Sequence, residues 1–398
     1  MQVVVIGGGI VGTSTALTLA EHGADVTVLE RGTIAGEASG LNAGVIGGGG
    51  WGDRPDANVA LKMGSRERYV DLAERGYDFG LDLSGTLTMI RTPAEWNWAR
   101  ASVDADRLAG HCFELLDADD LMALEPAADP ALLGAIFDPM AARAEPVAST
   151  EAFATEAVTV GATVRTGCAV TDLRPTAGGG WELDLEIDRS VQSIGADAVV
   201  IAAGPWCARL GSLVDVDIPI VPVRGQMWAT ARQPPMFRHA IAGAESFCAW
   251  SSETPTDGAP PNLTHRGDAR TTRHLYGCQR PNGEIIFGGD RVLADDRAVD
   301  DAGIAVNHAH ATEVFPDLGA LQPTRTWAGL MPFSVDGRPL IGPIPGHEGL
   351  FLAGGLASGG FGRGPMTGRL VAELVLGHEP NVDMTPIDTA GRVSPRRV

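Results

Sequence analysis

The sequence predicts an α/β protein with two interleaved parts: a doubly wound parallel sheet that the chain revisits, and a second domain of mostly antiparallel strands. Three observations carry this. The first thirty residues hold a complete strand–turn–helix–strand unit, and apolar runs closed by glycine return much later, ending at Gly204 and at Gly355. Between them lie stretches whose apolar residues alternate as in half-buried strands. At 398 residues the chain exceeds one ordinary core, so two domains are expected.

The opening unit comes first. Val3-Val4-Val5-Ile6 is a β-branched run, Gly7-Gly8-Gly9-Ile10-Val11-Gly12 follows directly, and Glu30 closes a second apolar run that starts at Ala24. Gly7 lets the chain turn off the strand, Gly9 lets the backbone approach a pyrophosphate, and Gly12 lets the helix pack against the sheet. The helix N-terminus then faces the phosphates with free N–H groups and the positive end of its dipole. Glu30 is placed to accept hydrogen bonds from a ribose diol. The unit is Rossmann-like, and by itself it serves any dinucleotide.

The remaining elements follow in order. Residues 10–22 read as a helix and 36–52 as a glycine-dense loop. Residues 58–77 read as a second helix, 87–90 as a strand, and 93–124 as mostly helix with an acidic stretch at 117–120. From Pro146 the pattern turns α/β again, with a helix over 150–160 and strands over 162–165, 169–173 and 181–187. Ala198-Val199-Val200-Ile201-Ala202-Ala203-Gly204 is a buried strand. More strands are expected within 218–232 and 274–289, separated by a polar Pro/Gly-rich stretch from Ser251 to Arg273 that is either a lid or a variable connection. Gly349-Leu350-Phe351-Leu352-Ala353-Gly354-Gly355 is the last strand, and a helix over 365–376 follows its glycine-rich turn.

Composition narrows the function. A net charge of −20 argues against nucleic acid or an anionic membrane as partner. The chain enters a strand at once, with no basic leader and no long apolar stretch, so a cytoplasmic protein without a membrane span is expected. Five cysteines, Cys112, Cys168, Cys207, Cys248 and Cys278, have no CxxC pairing, which suits reduced thiols and neither a disulfide frame nor a metal site. Lys62 is the only lysine. Any chemistry that needs a lysine uses it or goes without.

The order of the motifs resembles the two-domain flavoproteins of the D-amino-acid oxidase, glycine oxidase and monomeric sarcosine oxidase family. The residues that carry this are the opening glycine unit with Leu29-Glu30-Arg31, Ala38-Ser39-Gly40-Leu41-Asn42-Ala43-Gly44, the run through Gly204-Pro205-Trp206, Trp327-Ala328-Gly329-Leu330-Met331-Pro332, Asp336-Gly337-Arg338-Pro339-Leu340-Ile341-Gly342, and Gly354-Gly355-Leu356-Ala357-Ser358-Gly359-Gly360-Phe361. The resemblance implies an FAD-binding domain from 1–80, 145–220 and 325–380, a substrate-binding domain from 81–144 and 221–324, and a C-terminal tail over 381–398. It implies that Gly7, Gly9, Ile10, Val11 and Gly12 hold the pyrophosphate, that Glu30 holds the ribose, and that Arg31 and Trp206 sit by the adenosine. Ala38, Ser39, Asn42, Ala43, Gly44 and Val45 then line the pyrophosphate and one ring edge, and Val170 meets adenine through its backbone. Ala203 and Gly204 pass close to the dinucleotide. Gly355, Ser358, Gly359, Gly360 and Phe361 run past the pyrimidine side of the flavin, with the helix over 365–376 behind.

The same resemblance implies oxidation of a C–N bond of an amino acid or amine to an imine, by hydride transfer to flavin N5. The expected partners are that substrate and an acceptor, either oxygen or an electron carrier. Glycine oxidases and D-amino-acid oxidases place a carboxylate-binding arginine where this chain has Met331, and a second glycine-oxidase arginine falls at Ser358. Sarcosine oxidases use an arginine near Ala43 and a lysine near Gly362, and neither is here. Arg363, one step from that lysine position, is nominated as the replacement anion clamp, against a solvent-facing or flavin-bonding role. Trp228, His274, Tyr276 and Arg291 are candidates from the sheet expected to roof the pocket, and Trp51 and Arg54 could form a wall or a surface loop. Lys62 is expected to lie away from the site. No cysteine follows Cys278, so the FAD is expected to be non-covalent. The alternatives are a 2-hydroxy acid oxidoreductase on the same scaffold, or a flavin subunit of a hetero-oligomeric dehydrogenase whose pocket is completed by another chain. Homo- and hetero-oligomers are both left open.

Overall fold

The computed structural model of the chain describes residues 1–253 and 258–396. Its first sheet has six strands in the order Leu340–Pro343, Leu350–Gly354, Ala198–Ile201, Gln2–Ile6, Asp25–Leu29 and Thr163–Arg165. Every pairing is parallel except the edge pair, Leu340–Pro343 with Leu350–Gly354. A parallel sheet is covered on both faces, which is why Val3-Val4-Val5-Ile6 is apolar throughout. Val3 and Val5 join a core with the helices Ile10–Glu21, Pro146–Thr159 and Gly360–Val375. Val4 and Ile6 face the opposite way. They pack with Leu183 and Leu185 of a three-stranded meander, Ala169–Pro175, Trp181–Ile187 and Ser190–Ala196.

The second sheet is built on the strands Val292–Leu293, Ile220–Ala229, Ile285–Gly288, Tyr276–Gln279, Ala240–Gly243, Thr86–Ile90, Gly134–Asp138 and Glu114–Asp117, with Arg325–Ser334 also paired to Ile220–Ala229. It is antiparallel except where Ala240–Gly243 meets Thr86–Ile90. Arg325–Ser334 runs the full length of Ile220–Ala229 and then returns the chain to the parallel sheet, so Met331 sits opposite Val223. Among the described residues no helix is long and apolar enough to cross a membrane.

Three elements depart from the sequence reading. The region read as mostly helix over 93–124 is two helices, Pro93–Leu108 and Ala118–Leu124, with the strand Glu114–Asp117 between them. Gly110 ends the first at φ 81°, and the acidic stretch is an N-cap: the Asp117 carboxylate accepts the Asp120 N–H at 3.0 Å. The last helix starts at Gly360, five residues before the expected 365. The C-terminal segment is docked: Ile387 O accepts the Ile341 N–H at the edge of the first sheet, and Ser394–Pro395 pairs with Val216–Asp217 in a separate two-stranded sheet. Residues 397 and 398 lie outside the described part.

Candidate active site

One cavity of about 700 Å³ runs from Glu30 and Arg31, past the ends of the parallel strands, to the face of the second sheet. Its two ends are made differently. The first is mostly backbone. Gly7, at φ 121°, turns where a Cβ would lie 2.5 Å from Ala202 O, and a Cβ on Gly12 would lie 1.9 Å from Gly7 O. Gly9 leaves room for Ser39, whose Oγ accepts the Ile10 N–H at 3.0 Å. Glu30 is committed in part to the turn, because its carboxylate accepts the Gly8 N–H at 2.7 Å and the Gly32 N–H at 2.6 Å. Lone pairs remain for a diol. Arg31 stacks over Trp206 at 3.7 Å, and Val170, Ala203 and Gly204 complete this end.

Asn42 shapes the next stretch of wall. Its amide donates to Ala38 O and Ser39 O and its oxygen accepts the Gly44 N–H at 2.7 Å, fixing the loop that carries Val45. Ala43, Gly44, Gly12 and Gly355 lie behind the wall and not on it. Ala43 is buried in a small core with Met227 and Ile286, and Gly44 closes on Ala144. Gly12 closes on Gly7, and Gly355 packs on Ser334.

On the far side Ser358, Gly359, Gly360 and Phe361 line the cavity. Pro365 inside the helix Gly360–Val375 has no N–H for the carbonyl of Phe361. Tyr69 fills that role, its OH donating to Phe361 O at 2.9 Å, while Ser65 Oγ accepts the Met366 N–H at 2.9 Å. Two polar side chains of the helix Ala57–Glu74 therefore hold the bend that brings the helix N-terminus to the cavity.

The other end is a chamber of side chains, and it brings together Met331, Arg363 and a cluster of His274, Tyr276 and Arg291. Arg291 donates to His274 Nε2 at 3.0 Å, so that nitrogen is the acceptor and Nδ1 carries the hydrogen, which it gives to Ser246 Oγ at 2.7 Å. His274 is thereby neutral, and burial, then the Arg291 charge, push it well below the usual histidine range. Its ring stacks on Tyr276, whose hydroxyl burial raises to about 12. Arg291 also lies 4.3 Å over the Trp250 ring and donates to Asn262 O at 3.3 Å. It has no carboxylate partner among the described residues. The neighbouring Asp290 is turned away and held by Arg270 and by Gln226. Burial lowers Arg291 to about 10.

Arg363 is on the wall too, folded against the turn that precedes its helix. It donates to Leu356 O, to Gly359 O at 3.4 Å and to Asn58 Oδ1 at 3.4 Å, and burial lowers it to about 10.

The remaining candidates sort differently, with Trp51 and Arg54 taking the surface-loop alternative. Trp228 does not reach the pocket. It is fully buried behind the sheet, where its indole donates to Asn307 at 2.7 Å and packs on Phe287. Trp51 donates to Glu67 on the surface, and neither it nor Arg54 lines the cavity. Lys62, expected away from the site, lines it, because Asn58 and Lys62 are one turn apart on one helix face. Phe247, Met227 and Ile241 line the chamber and carried no sequence signal beyond their apolar character. Within the stretch from Ser251 to Arg273, Asn262 and Thr264 lie against Arg291: Asn262 O accepts from its side chain and Thr264 Oγ from its N–H. Residues 254–257 of that stretch lie outside the described part.

A parallel sheet covered on both faces with a glycine phosphate cradle, a second, mostly antiparallel sheet roofing a chamber, and one cavity joining them define a dinucleotide-dependent oxidoreductase. Residues 2–374 match the family model described as DAO, FAD dependent oxidoreductase, and the chain belongs to that family. It is similar to the glycine oxidase of Geobacillus kaustophilus, 28% identical over 391 residues that cover 97% of this chain and 95% of that protein. It is also similar to the D-amino acid dehydrogenase of Rhizobium rhizogenes, 26% identical over 447 residues covering 98% and 99%. The crystal structure of the Geobacillus glycine oxidase superposes with a TM-score of 0.82 at 26% identity, covering 98% of each chain. The cofactor is FAD, and the cradle fits it: backbone takes the space a Cβ would fill at Gly7 and Gly12, and the cavity continues past the phosphate end into a second chamber.

Proposed function

We propose that the protein oxidises the C–N bond of an amino acid or a related primary or secondary amine, giving an imine that water hydrolyses. The observation that carries this reading is Arg291, a buried guanidinium facing the chamber with no acidic partner among the described residues. An isolated buried charge is strongly unfavourable, so such a site is completed by an anion. Arg291 replaces, from the second sheet, the carboxylate clamp that Met331 cannot supply. His274 positions it. With both ring nitrogens engaged, the imidazole holds the guanidinium and does not move a proton. FAD, when bound, supplies the two-electron acceptor for the substrate's α-hydrogen. Phe247, Met227 and Met331 give the chamber an apolar wall, and orientation by the clamp does most of the remaining work. The one cysteine on the cavity wall is Cys168, beside Val170 at the adenosine end, which supports a non-covalent cofactor.

The test is an anaerobic screen of the yellow protein against amino acids, N-methyl amino acids, simple amines and 2-hydroxy acids, read as loss of flavin absorbance. Bleaching by amino acids, with a 2-oxo acid and ammonia or amine released, is expected. Bleaching by 2-hydroxy acids alone would overturn the reading. Repeating the productive reaction with oxygen and with an artificial carrier separates an oxidase from a dehydrogenase, and acid precipitation should leave the yellow colour in the supernatant.

A further inference from the structure

The chamber holds more positive charge than one carboxylate requires. Arg291 reaches it from the second sheet; Arg363 and Lys62 reach it from two helices of the first domain. None of the three makes an ion pair within 4 Å among the described residues, and Lys62 has no hydrogen-bond partner there, although Asp138, Asp106 and Asp56 lie near enough to favour its charge. Elsewhere the protein pairs many of its part-buried arginines with acids, as in Arg143 with Asp82, Arg270 with Asp290 and Arg273 with Glu245, although Arg66 and Arg68 also lack an ion pair among the described residues. What sets the cavity apart is that three such cations meet on its wall. They do so in a chain with 50 acidic against 30 basic residues, where acids to neutralise these cations are plentiful.

The three cations form two poles. Asn58 bonds Arg363 and lies one turn from Lys62, so Lys62 and Arg363 share the helix-side wall. Arg291 stands on the opposite, sheet-side wall with His274 and Trp250. We propose that the substrate carries two anionic groups, one carboxylate for Arg291 and a second for the Arg363–Lys62 wall, with the oxidised C–N bond between them. This rests on the amino-acid reading above and narrows it to dicarboxylic amino acids or N-carboxyalkyl amines. Each cation is lowered by burial, with Asp138, Asp106 and Asp56 offsetting part of the effect at Lys62. The apolar wall of Met227, Phe247 and Met331 then faces the substrate's carbon skeleton.

The experiment uses the oxidised holoenzyme and redox-inert acids of matched length: malonate, succinate and glutarate against propionate, butyrate and valerate. Affinity is read by calorimetry and by the perturbation of the flavin spectrum. The best diacid is expected to bind about tenfold or more tighter than the monoacid of equal length, the gain from one extra charge-assisted contact. Lys62→Met and Arg363→Met, made separately, should bring that ratio toward one while leaving monoacid affinity within about threefold. A wild type that does not distinguish the two series overturns the proposal, as do variants that lose both acids equally. If no acid of either kind binds and no amino acid bleaches the flavin, the amino-acid reading falls with it; amino acids that bleach without any diacid preference remove only the second anionic group.

Discussion

The two ends of the cavity obey different rules. At the cradle, function is made by backbone: glycines at fixed spacing, a helix N-terminus and an acid that ties the turn together, all within thirty consecutive residues. At the chamber, function is made by side chains from elements far apart in sequence, namely Lys62, His274, Arg291, Met331 and Arg363. The first arrangement tolerates almost no change in shape, because the space beside the glycines is already filled. The second is a set of buried charges held by neutral partners, so its composition can change while the scaffold stays.

That contrast predicts a graded set of responses. The largest is Gly12→Ala, whose Cβ would lie 1.9 Å from Gly7 O. The clash is with backbone and cannot be relieved by a rotamer, so the purified variant should carry little or no flavin, measured as the ratio of flavin to protein absorbance. Arg291→Gln comes next. It should fold and hold FAD normally but lose about a hundredfold in kcat/KM for amino acids, the worth of a buried charge-assisted clamp. A similar loss for uncharged amines would mean that Arg291 shapes the chamber without binding a carboxylate. Trp228→Phe should do neither. It removes the bond to Asn307 and should lower stability by about 1–3 kcal/mol, read by denaturant melts, with kcat/KM unchanged.

The last response is to pH, and it touches stability alone. Burial lowers His274 well below its ordinary value and His310 to about 4, so both stay neutral in the folded protein while the unfolded chain takes up their protons near pH 6.5. Stability is then full above that value and falls as pH drops from about 6.5 toward 4, by about 1.4 kcal/mol per pH unit for each histidine. Melting temperatures between pH 7.5 and 5.5 should fall accordingly, and His310→Gln should flatten the slope.

The cradle was legible because local chemistry determines it. Val3 to Glu30 specify strand, turn, helix and strand without help from the rest of the chain, and the returning strands at Ala198 and Leu350 announce themselves by continuous apolar sequence. The start of the last helix was not legible. Pro365 reads as a boundary until Tyr69 and Ser65, some three hundred residues earlier, supply the missing partners. Lys62 was misplaced for a similar reason, since only the packing of two helices puts it beside Arg363. Trp228 and Arg291 had equal standing as candidates from the second sheet. Trp228 lies within the strand Ile220–Ala229 and is buried in the core, whereas Arg291 sits in the connection just before Val292–Leu293 and lines the chamber.

The most direct test is a titration of the oxidised holoenzyme and its Arg291→Gln variant with a single inert carboxylate such as butyrate, following the flavin spectrum. Saturable perturbation in the wild type, weakened at least about thirtyfold in a variant with full flavin content, is the expected result. Equal affinity in the two proteins would contradict the assignment of Arg291 as the group that receives the substrate.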